Sequence, residues 1–401
     1  MAQYQSQANT ARAGVEYALA WIDAHAHALA AEDVPLIEGA QRILARDAVA
    51  NLDLPPFDRA AVDGIALRAE DTVGASIYNP CLLQLMRAPG DLAPGGARRL
   101  NAGEILPGGA DAVVRLEYVG WDAAGRATLT EPIIAGSGIE RRASQGTRGS
   151  TIAAAGRALR PADIGLFASA GHTCVTVVRK PRVRCLLAET TIATGNASVP
   201  GEALDANGPL LRALIERDAG IVAEQSTICR DPASLQHALT VPGADLIVVV
   251  GGTGPGSNDH AARALKHAGE IAIDGVTLRH AETARIGLAA GMLVFLVPGT
   301  PIACLLAYEF FVGRAVRRLG GHAPALPFPC QSMTAAHKIV SEIGVTELRP
   351  IRCLKDGLAE PIPFFTEAGL RALTQADGFV LISEKSEGYP RGAAITVYLY
   401  R

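Results

Sequence analysis

The sequence lacks the paired chemistry of a metal or disulfide protein. Its seven cysteines (Cys81, Cys174, Cys185, Cys229, Cys304, Cys330, Cys353) are scattered, and no Cys-x-x-Cys pair occurs. An odd count at wide spacing speaks against a disulfide framework or a structural zinc site. The histidines never fall at His-x-x-x-His, and His25 and His27 are too close to share a helix face. No intrinsic metal site is therefore expected, and Cys185 and Cys304, set in apolar runs, read as packing residues. No apolar run approaches the ~20 residues that span a bilayer. The first residues, MAQYQSQANTARAG, lack the apolar stretch of a secretory signal, so a cytoplasmic protein is expected. Charge is nearly balanced at −3, which recruits neither nucleic acid nor a membrane surface. An anionic ligand would need local basic groups.

What is present is an ordinary buried composition, 49% hydrophobic and 19% charged, over 401 residues. That length is more than one core, and several domains are expected. Residues 10–32, rich in alanine, read as a helix, and Val34–Ala50 as a second, with Leu36, Ile43 and Leu44 at helical spacing. Pro55-Pro56 breaks this pattern, and short strands with glycine- or proline-rich turns follow to about residue 135. Residues 136–178 return to turns, a short helix and a strand, a piece suited to pack back on the N-terminal helices. From Pro181 apolar strands alternate with amphipathic helices, which argues for an open parallel α/β sheet. After the linker GGHAPALPFP the chain is strand-like again. The expected organisation is thus a discontinuous helical/β N-terminal domain (1–50 plus 136–178) and a small β-rich domain (51–135). An α/β domain (179–321) and a C-terminal, barrel-like β domain (328–401) complete it.

The stretch VVVGGTGPGSND, Val248–Asp259, carries the first chemical signal. A buried strand ending in glycines brings backbone N–H groups close to a ligand, because glycine permits positive φ and lacks the Cβ that would block approach. A tight strand–helix turn explains the same residues. The ligand reading gains from position: in open α/β sheets ligands bind beyond the carboxyl ends of the strands, and VPGTP also lies at such an end. Gly251, Gly252, Gly254 and Gly256 would supply backbone approach, with Thr253, Ser257 and Asn258 as donors. Asp259 repels a bare phosphate; it can accept from a ring N–H or hydroxyl donor, hold Mg²⁺, or cap the following helix. Gly252→Asp, which sets a carboxylate where a phosphate would lie, is expected to abolish binding with the fold intact.

These motifs together resemble the molybdopterin molybdenumtransferase family, that of MoeA and the E domain of gephyrin. LPPFDRAAVDGIALRAED is similar to its Pro-Pro-Phe-Asp signature, and PGGADAVVRLE to its Gly-Ala-Asp-Ala-Val-Val segment. LRPADIGLFASAG, the glycine loop, LVPGTPIACLLAYEFFV and QADGFVLI follow in the family's order, so the resemblance spans nearly the whole chain. It implies a homodimer whose MogA-like α/β domain binds molybdopterin, a small pterin. Its reaction inserts molybdate into adenylylated molybdopterin and releases AMP. By resemblance, Asp205 and Asn207 face the ligand from a helix start, an N-cap being the other role. Pro298, Gly299 and Thr300 match a Pro-Gly-Asn-Pro loop, with Thr300 in place of Asn. Asp63 is implied as an active-site carboxylate delivered by the β-rich domain of a partner subunit; a turn aspartate before glycine is the alternative.

Departures from the family share a direction. Its Thr-Gly-Asp-Glu after the first α/β strand aligns with Ala188, Glu189, Thr190 and Thr191, losing the acidic pair, and its Lys-Pro-Gly-Lys-Pro with Arg279, His280, Ala281, Glu282 and Thr283. Glu282 in place of lysine turns attraction for an oxyanion into repulsion, leaving Arg279 as the retained cation. Its Gly-Glu-Asp aligns with Ala143, Ser144 and Gln145, and the threonine of its Met-Thr-Gly with Ala102. The leading expectation is a diverged transferase of molybdenum cofactor biosynthesis. A second is a non-catalytic molybdopterin carrier that serves a molybdoenzyme or another cofactor-biosynthesis protein. A third is an α/β nucleotide-binding enzyme unrelated to molybdenum.

Overall fold

The structure is a computed structural model that describes residues 12–188, 192–193, 203–223, 227–229, 231–254, 260–364 and 369–400. It divides into two compact units, Met1–Ala31 with Val178–Arg401, and Glu32–Val177.

The second unit is built on a six-stranded sheet. Gly64–Leu67 lies between Ala112–Arg115 and Gly96–Leu100, and Cys81–Leu85, Ala127–Leu129 and Gly120–Trp121 continue beyond. Ile65, Leu67, Leu83, Ala97 and Leu129 fill its core. A smaller cluster of Leu36, Leu44, Leu159, Phe167 and Val177 joins chain segments far apart in sequence. Strand Ala48–Val49 pairs with Thr151–Ala153, and Arg59–Ala60 with Ile139–Glu140.

Two expectations about the N-terminal region are corrected. No α-helix covers Val34–Ala50; that stretch holds the end of the strand Ala31–Pro35, a single 3₁₀ turn Leu36–Glu38 and the strand Ala48–Val49. Pro35 donates no amide, and Gln41 adopts a left-handed φ of 64°, so a continuous helix cannot form. The first helix is only Val15–His25, and contacts group it with the α/β unit rather than with residues 136–178. Its stripe of Val15, Ala18 and Ile22 is buried in the large core of that unit. Arg314 holds Asp23 at 2.6 Å, and Arg318 Nε donates to the Ala26 carbonyl at 2.9 Å.

The α/β sheet runs Ile221–Val222, Arg182–Leu187, Leu246–Val250, Met292–Val297, Arg285–Ala289, Gly269–Asp274, and Thr227–Ile228 also pairs with Arg182–Leu187. The first four strands are parallel, as expected. The last two run antiparallel and form an edge hairpin absent from the sequence reading. Strand residues alternate between two cores. Val248, Val250 and Phe295 meet the helices Asn207–Arg217 and Pro301–Ala307 on one face. Ile247, Val249 and Leu296 meet Pro232–Ala238 and Ala261–Ala268 on the other. Burial on both faces explains the uninterrupted apolar run, each such side chain contributing about 1.5–3 kcal/mol. Cys185 belongs to the first core, and burial pushes its thiol up to about 12, consistent with packing rather than reactivity.

The C-terminal strands Cys330–Ala335, Leu358–Pro361, Glu347–Cys353, Gly378–Ile382 and Ala394–Leu399 close into a barrel around Met333, Ile351, Val380 and Val397. Closure leaves no free sheet edge. Among the described residues no helix is long and apolar enough to cross a membrane.

Candidate functional site

Register places the site. Leu187, Val250 and Val297 are aligned across the three central parallel strands, so Ala188, Gly251 and Pro298 begin three loops at one level. Such a carboxyl edge is where open α/β sheets bind ligands.

Gly251 and Gly252 both have positive φ, 84° and 63°. The Gly251 amide donates to the Val297 carbonyl at 2.9 Å, fastening the loop to the neighbouring strand. The Gly252 carbonyl accepts from Ala261 N at 3.1 Å, at the start of the helix Ala261–Ala268. A Cβ on Gly252 would lie 3.3 Å from that of Ala261 and 3.5 Å from that of Ala188. Thr253 is buried, and its hydroxyl meets that of Thr283 at 3.0 Å. Gly254 ends the described part of this loop. Gly256, Ser257, Asn258 and Asp259 lie outside the described residues, as do Glu189, Thr190 and Thr191.

Across the edge, Asp205 Oδ1 accepts from the Gly208 amide at 2.9 Å, so it supports the first turn of the helix Asn207–Arg217. Asn207 is 3% exposed, and its Nδ2 donates to the Gly299 carbonyl at 2.7 Å. Its Oδ1 is buried with no hydrogen-bond partner among the described residues. An orphaned amide oxygen costs ~1–3 kcal/mol, a cost that a ligand donor would offset. Pro298 is buried and Thr300 exposed at the start of the helix Pro301–Ala307, where the Thr300 side chain makes no capping bond. The structure therefore brings Gly251, Gly252, Thr253 and Gly254 onto the same edge as Asn207, Pro298, Gly299 and Thr300.

The segment joining the hairpin strands lies against this loop through Thr283. Within it Arg279 turns toward the barrel: its Nη2 lies 2.7 Å from Glu342 Oε2, and its amide donates to the Thr346 carbonyl at 2.9 Å. His280 has a φ of 69° and packs edge-on against Phe364, with ring centroids 5.2 Å apart. Burial holds its imidazole below the ordinary histidine range, and the charge of Glu282 opposes this. The retained cation at the replaced lysine segment is thus engaged by a carboxylate.

Arg285 escaped the sequence reading. Its Nη1 donates to the Thr253 carbonyl at 2.6 Å, and its Nε lies 2.5 Å from Asp274 Oδ1. Strand direction alone places it: Arg285 opens the antiparallel strand that pairs with Met292–Val297. It lay just past the segment aligned with the family's lysines.

Asp63 belongs to the other unit, where it is exposed, and its Oδ1 accepts from the Ala102 amide at 2.7 Å. In the same unit, Ala143 holds a left-handed φ of 60° at the position where the family pattern has glycine. Among the described residues no group of three His, Cys, Asp or Glu side chains is placed to hold a metal ion.

A glycine loop, a buried amide acceptor and a helix start on one parallel-sheet edge define a small-molecule site with polar recognition. Comparison with known proteins supplies the family. Residues 13–171 match the model of the MoeA N-terminal region (domain I and II), and residues 190–318 that described as "probable molybdopterin binding domain". The chain is 28% identical over 388 residues to molybdopterin molybdenumtransferase 2 of Mycobacterium tuberculosis, covering 91% of this chain and 94% of the relative. It is 26% identical over 381 residues to the molybdopterin molybdenumtransferase of Staphylococcus aureus, covering 91% and 90%. Among solved structures it resembles the molybdopterin biosynthesis MoeA protein from Pyrococcus horikosii. There the identity is 30%, the TM-score 0.76, and the coverage 97% of this chain and 99% of that one. The chain belongs to the MoeA family of molybdopterin biosynthesis proteins.

Proposed function

We propose that the chain is a molybdopterin molybdenumtransferase of molybdenum cofactor biosynthesis. It binds adenylylated molybdopterin at the carboxyl edge of the α/β sheet and inserts molybdate, releasing AMP. The observation that carries this reading is Asn207 Oδ1, a buried acceptor with no partner among the described residues, on the edge that holds the glycine loop. A pterin presents ring N–H donors that suit such an acceptor, and the positive-φ glycines leave room for a phosphate beside a helix start. In this reading Gly251, Gly252, Thr253, Gly254, Gly256, Ser257 and Asn258 cradle the ligand with Asn207, Pro298, Gly299 and Thr300. Asp205 orients the helix start, and Asp63, Asp259 and Arg279 act on the reacting groups, Asp259 being the candidate for Mg²⁺.

The protein acts in the cytoplasm as a homodimer, with one protomer's Asp63 serving the other, and passes its product to a molybdoenzyme or another cofactor-biosynthesis protein. Relatives carrying the transferase name match along nearly the full chain, which favours turnover over a carrier role. The test is molybdate-dependent AMP release from adenylylated molybdopterin by the purified protein, together with light scattering. Tight pterin binding without any AMP release would return the carrier reading. A particle of 41.7 kDa, the mass of one chain, would remove the shared site.

A further inference from the structure

Resting on the functional reading above, we infer that Arg285 is the cation that meets a tetrahedral oxyanion of the substrates at the glycine loop, with Asp274 as its positioning residue. The topology delivers it there. Because Arg285–Ala289 runs antiparallel to its neighbour, its first residue sits at the carboxyl edge, opposite Leu296 and one step from the end of that strand. Asp274, the last residue of Gly269–Asp274, is the register partner on the other side.

The guanidinium is held on two of its three nitrogens. Nε lies 2.5 Å from Asp274 Oδ1, and Nη1 donates to the Thr253 carbonyl at 2.6 Å and to that of Thr283 at 3.4 Å. Nη2 has no hydrogen-bond partner among the described residues, and the side chain is 19% exposed. A planar fork fixed in this way loses little rotamer freedom when it takes a ligand oxygen, and its two remaining N–H groups match oxyanion geometry. Its bond to Thr253 ties the cation directly to the loop that cradles the ligand. Arg279, by contrast, is 2.7 Å from Glu342. With Glu282 at the place of a family lysine, Arg285 restores positive charge to this edge by a different strand position. Asp274 offsets the charge only partly, since its own side chain is 43% exposed and therefore well solvated.

Phosphate and molybdate share the tetrahedral oxyanion chemistry, and the experiment separates them. Wild type, Arg285→Gln and Asp274→Asn are compared by calorimetry with molybdopterin and with its dephosphorylated form. The same proteins are compared for the KM of molybdate in AMP release. Arg285→Gln weakens molybdopterin at least tenfold and spares the dephospho form if the phosphate is the partner. It raises the molybdate KM at least tenfold with pterin affinity unchanged if molybdate is. Asp274→Asn keeps an acceptor for Nε while removing one negative charge, and it strengthens the same interaction several-fold. Equal loss of both pterin forms in Arg285→Gln, with the molybdate KM unmoved and no gain in Asp274→Asn, would mean that Arg285 only shapes the loop, and would overturn the inference. Failure of folded wild type to bind either pterin form is a different result, and refutes the functional reading together with the inference.

Discussion

Arg279 and Glu342 are joined at 2.7 Å, linking the connection between the hairpin strands to the barrel. The pair faces solvent, with side chains 31% and 67% exposed, so it contributes at most about 1 kcal/mol to stability. Its chemical effect is larger than its stabilising one, because it turns the guanidinium toward a carboxylate of the protein itself. Glu342→Gln is therefore expected to leave the unfolding midpoint nearly unchanged and to raise molybdate-dependent AMP release. Glu282→Lys, a two-unit charge reversal in the same segment, raises it further, each ~1.4 kcal/mol gained in the transition state being tenfold in rate. Steady-state AMP release by the two variants checks this, and slower turnover in both would remove the segment from the reaction.

Gly252 adds a stability cost to a substitution that the sequence reading expected to act on binding alone. Any side chain there carries a stability cost from two independent features, a φ of 63° and a Cβ position 3.3 Å from the Ala261 methyl. A left-handed backbone alone costs an L-residue about 1–2 kcal/mol. Gly252→Ala should accordingly lower stability by at least that amount in denaturant titration, before any ligand is added. Thr253→Val is the cleaner probe of the loop. It keeps the shape and removes the hydroxyl contact with Thr283, at a cost near 1 kcal/mol. Unchanged stability of Gly252→Ala would mean that the loop relaxes freely.

The parallel core was legible because its strands are apolar on both faces and end in glycine or proline, as at Val250 and Val297. Alternating helices left few other arrangements, and the closing strands of the barrel were visible in GFVLI and its neighbours. The edge hairpin was not legible: Gly269–Asp274 is exposed at most positions, so no apolar period marks it. Val34–Ala50 misled because Leu36, Ile43 and Leu44 are buried by an irregular path whose spacing coincides with a helix. The family resemblance directed attention to Arg279 by alignment, whereas the cation at the loop, Arg285, is found only by following strand direction. The orphaned oxygen of Asn207 is a property of packing, and no sequence pattern carries it.

The helical run that begins at Pro301 widens into a single π-helical turn, Tyr308–Val312, and this turn holds a buried charge network. Arg217 grips Glu309 with both terminal nitrogens, at 2.6 and 2.9 Å, and also reaches Asp218 at 3.0 Å. Arg317 meets Asp218 at 2.8 Å, and the Asp218 side chain is wholly buried. Burial pushes the Glu309 carboxyl up, and the Arg217 fork pulls it back, so each charge depends on the other. Glu309→Ala should cost a few kcal/mol, on the order of 3, because it takes the bidentate partner from Arg217 and leaves it only Asp218, which it shares with Arg317. Replacing both partners, as Arg217→Met with Glu309→Leu, should recover much of that loss, since the pair's own desolvation cost disappears as well. Denaturant titration of Arg217→Met, Glu309→Leu and the double variant gives the coupling. A double variant as unstable as the sum of the single ones would show that the pair contributes nothing through mutual attraction.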